Sequence, residues 1–208
     1  MEVLTNEPVM KTALGEDWLR LDEAVRRHYD LTPGREAAVR MQGIMQEVDH
    51  SHIAKLYLLP GRIFGALLPY KGENVTASVR NWTTSTDQKA MFWHRVFDFG
   101  AGRKAVFASR MEYVGGDEII EYVRFGLGIR MKLSVENGAL KYRSTGYQWD
   151  IGAVKLPIPT WLILGDGEIT ETGISATEFS MSFRMRHPLF GKTFSYSGSF
   201  RLEEDQVE

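Results

Sequence analysis

Residues 91–99, MFWHRVFDF, place a tryptophan, a histidine and an arginine side by side between phenylalanines. Read as a strand, the run sorts into two faces, because successive side chains point to opposite sides of a sheet. Met91, Trp93, Arg95, Phe97 and Phe99 share one face, and Ala90, Phe92, His94, Val96 and Asp98 share the other. Trp93 and Arg95 are therefore companions, and His94 points away from both.

The same character repeats along most of the chain. After Lys71, strand-like runs follow one another around 74–84, 89–99, 104–114, 118–135, 139–150, 167–173, 177–186 and 193–203, separated by turn pairs such as Gly115-Gly116 and Asn137-Gly138. This is the pattern of an antiparallel meander. LPIPTWLIL, 156–164, carries two prolines that forbid a central ladder position and suit an edge or crossover strand.

The first seventy residues read differently. Residues 1–15 carry no periodic pattern and are expected to be loosely ordered. EDWLRLDEAVRRHYDL, 16–31, repeats apolar residues at Trp18, Leu21, Val25 and Tyr29, a helical stripe with acids first and arginines later, stopped by TPG. Alternation from Arg35 to Val48, with Ala38, Ile44 and Val48 in step, suggests a strand. Asp49 or Ser51 then caps a helical segment that begins near Ile53 and breaks at Pro60-Gly61.

Many twisted antiparallel strands must close or cover their edges, and the helices are available to do so. The expected fold is α+β, a single domain over 1–208: a strongly curved, mostly antiparallel sheet or incomplete β-barrel of about 8–10 strands, with N-terminal helices covering one face or mouth.

Composition narrows the function classes. The 208 residues are 43% hydrophobic with a net charge of −2, so a core can be buried and no electrostatic footprint for nucleic acid is present. Cysteine is absent, which excludes disulfides and thiolate zinc sites and fits a cytoplasmic protein. MEVLTNEPVMKTALGE has neither the basic start nor the apolar run of a secretory signal. IAKLYLLPGRIFGALLPY, 53–70, is interrupted by Lys55, Pro60, Gly61 and Arg62, so no transmembrane segment is expected.

The remaining strands sort as the first did. In 118–135 one face carries Ile119, Glu121, Val123, Phe125, Leu127, Ile129, Met131, Leu133 and Val135, an apolar file broken by one acid. The intervening run contributes Ala105, Phe107, Ser109, Met111 and Tyr113; the last two strands add Phe179, Met181, Phe183 and Met185, then Phe194, Tyr196, Gly198 and Phe200. Gly126 and Gly128 mark 118–135 as the run most prone to a bulge. An isolated buried charge costs several kcal/mol, whereas a paired one is tolerated, so Arg95 and Glu121 are expected to pair or to meet something else inside.

Three readings of that constellation stay open: a structural ion pair, a polar anchor in a cavity for an amphipathic ligand, and general acid/base work by Glu121. The histidines point less clearly. His50 and His52 beside Asp49 would suit a metal but equally a helix-entry turn; His187 suits an exposed turn, and His28 and His94 the surface. No metal site or cofactor is assigned. FGLGIR lacks the third glycine of a phosphate-binding loop.

The run Trp93-x-Arg95-x-Phe97, then Phe107 to Ser109, Glu121 with Phe125, LSVENGALKY, Leu156 to Pro159, and HPLFGKTFSYSGSF resemble a bacterial family, the domain-of-unknown-function family numbered 4166, over nearly everything after residue 16. The resemblance implies no activity. It implies relatives that stand alone or follow a saccharopine-dehydrogenase-like domain, so a reductase-like partner would act in trans.

The preferred expectation is a non-enzymatic domain binding a lipid-like or aromatic small molecule, with Arg95, Glu121, Trp93, Ser109, Tyr196 and Phe125 as ligand-binding residues. Arg95 would meet an anionic head group, Glu121 and Tyr196 would orient it, and Leu56 to Leu68 would form a lid. A structural or interaction module, as a homodimer, and an enzyme using Glu121 are the alternatives.

Overall fold

The structure, a computed structural model, describes residues 6–54, 68–152 and 154–203. Two short helices, α1 (Val9–Leu14) and α2 (Glu23–Tyr29), flank a 3-10 turn at Gly15–Arg20. Among the described residues eleven strands follow: β1 (Ala37–His50), β2 (Gly72–Thr83), β3 (Ala90–Asp98), β4 (Lys104–Gly115), β5 (Glu118–Tyr122), β6 (Leu127–Glu136), β7 (Ala139–Ile151), β8 (Val154–Ile158), β9 (Asp166–Gly173), β10 (Glu178–His187) and β11 (Gly191–Leu202).

Each strand pairs antiparallel with the next, except that β9 pairs with the lower half of β7, at Leu140 to Arg143, while β8 pairs with its upper half. β11 returns to β1, from Met41↔Leu202 to His50↔Phe194, and closes a 10-strand barrel that leaves β8 outside the ring. Closure removes the unpaired edges that an open sheet would present. Among the described residues, no helix is long and apolar enough to cross a membrane.

The helices stopper one mouth. α1 packs against β4, β5 and β6, and α2 against β9 and β10, burying Val9, Met10, Ala13, Val25 and Tyr29. The first of these lie in the stretch expected to be loose. The stripe expected as one helix over 16–31 is buried as read, yet the chain unwinds at Leu21 and Asp22, both extended. A tertiary contact explains the break: Asp22 donates its N–H to the Gly138 carbonyl, and its carboxylate accepts the Gly173 N–H at 2.8 Å.

Two strand expectations are corrected. The run 118–135 is a hairpin, because Phe125 and Gly126 take φ of 59° and 75° and reverse the chain between β5 and β6. Alternation survives on either side of that turn, but Phe125 itself is thrown outward, 66% exposed. In β1 the register with β11 shifts between Met45 and Glu47. Met41 and Met45 face inward before this bulge and Val48 after it, so Ile44 is exposed rather than in step with Val48. The proline-bearing run is the edge strand β8 and the crossover that follows it.

Candidate functional site

The inward faces of the barrel surround a cavity of about 330 Å³. Its wall is apolar over most of its extent, with Met41, Val79, Phe97, Met131, Phe179 and Phe194 among the contributors. Two polar groups of side chains interrupt it.

The first lies on β3, β4 and β5. Trp93 pairs with Ser109, Arg95 with Phe107, and Met111 with Glu121, so strand register brings arginine, serine and glutamate to one place. Arg95 Nη2 donates to Glu121 Oε1 at 3.0 Å, Ser109 Oγ donates to the same oxygen at 2.6 Å, and Arg95 Nη1 donates to Ser109 Oγ at 3.1 Å. The guanidinium carbon stands 4.2 Å from the Trp93 ring centroid and 4.8 Å from that of Phe107. Arg95 is thus matched in charge by Glu121 and flanked by two aromatic rings.

The second group is built where α2 enters the barrel. Tyr142 on β7 donates to the Tyr29 hydroxyl, and Tyr29 donates to Glu171 Oε1 at 3.1 Å. His28, fully buried, places Nε2 3.3 Å from Glu171 Oε2. Among the described residues, neither ring nitrogen of His28, nor Glu171 Oε2, nor Trp93 Nε1 makes a hydrogen bond of good geometry. Buried polar atoms left in this state are uncommon and call for an explanation.

Trp93 links the two groups, lying under Arg95 and 5.6 Å from the Tyr29 ring. Burial holds the phenols of Tyr29, Tyr142 and Tyr196 above the ordinary tyrosine range, and the Glu171 charge pushes Tyr29 and Tyr142 further in the same direction. These hydroxyls therefore stay neutral, and those of Tyr29 and Tyr142 serve as donors.

Of the residues singled out from sequence, Arg95, Glu121, Trp93 and Tyr196 line the cavity, and Ser109 is buried against the first two. Phe125 does not line it, for the reason given above. Gly198 leaves room that Met45 occupies: a Cβ there would sit 2.6 Å from its sulfur. Leu68 lines the cavity, but residues 56–67 of the expected lid lie outside the described residues.

Two histidine expectations change. His28 is interior, since it extends the buried stripe of Leu21, Ala24 and Val25 by one turn. His187 is buried rather than exposed: Nδ1 accepts the Leu189 N–H, so Nε2 carries the proton that meets the Trp161 carbonyl at 2.6 Å. Asp49, which with His50 and His52 left a metal or a helix-entry turn open, lies between Lys71 and Lys192, each at 2.8 Å. His94 is exposed, as alternation requires, and Ser51 Oγ accepts the Ala54 N–H in the capping position.

Glu171, Tyr29 and Tyr142 were not among the sequence candidates. Alternation could have placed Glu171, which follows Gly167 and Ile169 on one face of β9.

The profile of the family described as Domain of unknown function (DUF4166) matches residues 21–200. No curated protein and no solved structure matches the chain.

Proposed function

The chain belongs to the DUF4166 family, and we propose that its barrel binds one hydrophobic small molecule bearing a polar end. The observation that carries this reading is the interior space of about 330 Å³, apolar with a few buried polar groups. Small-molecule sites start at about 300 Å³ and have this lining. A barrel of this size can hold such a ligand, and the helical stopper shields it from water at one end.

Charge selects the polar end. Glu121 already neutralises Arg95, and Glu171 adds a second carboxylate to the same interior. An anionic head group would have to displace Glu121 and then sit near two carboxylates at low dielectric. A hydroxyl or amine meets no such penalty. Glu171 and Trp93 both line the cavity, and Glu171 Oε2 and Trp93 Nε1, wholly buried and without a hydrogen bond of good geometry among the described residues, supply an acceptor and a donor once a ligand displaces the packing over them.

Native mass spectrometry against the denatured mass, with uptake of the neutral apolar dye Nile red, tests the proposal. A bound mass released on denaturation, or dye displaced by a long-chain alcohol and not by the corresponding carboxylate, is expected. A clean mass together with no dye uptake would favour a packed structural module.

A second reading, an enzyme, is favoured by the His28–Glu171 contact rather than by Glu121. A carboxylate beside an imidazole can orient it as a base, whereas Glu121 is occupied by Arg95 and Ser109.

A further inference from the structure

Among the described residues, the acids and bases lining the cavity are Arg95, Glu121, Glu171 and His28, besides tyrosines that stay neutral. Arg95 and Glu121 match each other at 3.0 Å. Glu171, 3% exposed, forms no ion pair with a lysine or arginine among those residues, and its neighbour is His28. Tyr142 donates to Tyr29, and Tyr29 to Glu171 Oε1, a chain of donors that favours the ionised carboxylate.

His28 does not supply the missing positive charge. An imidazolium carries two N–H donors, and neither ring nitrogen of this buried side chain makes a hydrogen bond of good geometry. The charged ring would leave both donors unpaired, whereas the neutral ring leaves one. Because Glu121 offsets Arg95, the interior then carries one negative charge in excess. A buried charge without a partner is costly, so the ligand that gains most on entering is one that brings a cation.

The surroundings suit an ammonium group. It offers three donors and needs no acceptor of its own. Glu171 Oε2, the lone pairs of the Tyr142 hydroxyl and the unprotonated nitrogen of His28 are three acceptors gathered at this place. His28 stands 3.3 Å from Oε2, and no hydrogen bond of good geometry pins its ring there when a ligand moves it aside. The rings of Tyr29, Trp93 and Phe179 lie against His28, and aromatic rings stabilise a desolvated cation. The space of about 330 Å³ holds roughly eleven heavy atoms at the ~30 Å³ each takes in a liquid, the size of a ten-carbon amine.

We infer that the polar end of the ligand is a protonated amine and that Glu171 is its counterion, with the apolar remainder filling the barrel. The inference rests on the small-molecule reading above and narrows it to one class of head group.

Displacement of Nile red from the full chain by decylamine, decanol and decanoate at neutral pH tests it, with native mass spectra to check that one molecule binds. Decylamine is expected to act at a concentration at least about tenfold below that of decanol, the advantage of a charge-assisted contact, and decanoate should not act. Glu171→Gln keeps the shape of the side chain and should abolish the difference between amine and alcohol while dye uptake persists. Decanol acting as well as decylamine would overturn the inference and assign the polar end to the buried donor Trp93 Nε1, with the small-molecule reading intact. Displacement by decanoate at the same concentration, or an amine preference that survives Glu171→Gln, would overturn it too, since the counterion would then not be Glu171. A clean mass and no dye uptake would remove the inference together with the reading beneath it. Should the variant not fold, amine against alcohol on the unaltered protein decides alone.

Discussion

Arg95 on β3 reaches past β4 to Glu121 on β5, closing to 3.0 Å with Ser109 wedged between them on the same carboxylate oxygen. Neither strand pairs with the other, so the contact spans the concave side of three strands and ties their register together.

Both side chains are nearly buried, 12% and 10% exposed. Arg95→Met leaves Glu121 with only the serine hydroxyl, and breaking a buried pair costs about 3–5 kcal/mol. Arg95→Met with Glu121→Leu removes both charges and should recover most of that loss. Urea midpoints of the four proteins give the coupling; a double variant as damaged as the sum of the singles would disprove it.

The buried tyrosines predict an alkaline limit. Burial raises Tyr29, Tyr142, Tyr147 and Tyr196, and burial together with the Asp150 hydrogen bond raises Tyr122. Because the folded values lie above the unfolded value of about 10, their stabilisation is complete below that pH and is lost as pH rises beyond it. Phenolate absorbance from these five of the 8 tyrosines should appear only as far-UV circular dichroism is lost. Ionisation of all the tyrosines in an intact barrel would contradict this.

At the other extreme, hydrogen bonds from Lys192 and Lys71 hold Asp49 well below the usual aspartate range. A depressed folded value stabilises above the unfolded value of about 3.9 and the effect fades as pH falls. Asp49→Asn should therefore be less stable than the unaltered protein at neutral pH and converge with it in acid. A difference in urea midpoint that stays constant with pH would show that the carboxylate's charge does not matter.

The helical stopper depends on glycine in the β6–β7 turn. A Cβ on Gly138, whose φ is +86°, would lie 2.2 Å from Asp22 Oδ1, whereas one on Gly116, φ +59°, meets nothing within 4 Å. Gly116→Ala should cost about 1 kcal/mol from backbone strain alone, and Gly138→Ala about 1–3 kcal/mol more because Asp22 must yield. Equal urea midpoints would mean that the Asp22 contact does not hold the stopper.

Much of the fold was legible because a strand's period of two is imposed locally. It assigned Trp93, Arg95, Phe107, Ser109, Glu121 and Tyr196 to one interior, and the turn chemistry of Asn137-Gly138, both at positive φ, marked a hairpin. The period failed where one residue changed the phase: the reversal at Phe125 and the β1 bulge after Met45. Neither leaves a mark in hydrophobicity, since the bulge follows from pairing with β11 and Phe125 keeps its apolar character while facing water.

The sequence by itself determined which side chains share a face, because alternation and helical stripes are properties of the local backbone. Only the tertiary structure decided that β11 meets β1 to close the ring, that Asp22 splits the N-terminal helix, and that His28 meets Glu171 inside. Those contacts join residues far apart in the chain, and no local pattern encodes a partner: a buried polar side chain announces that it needs one, and packing alone supplies which.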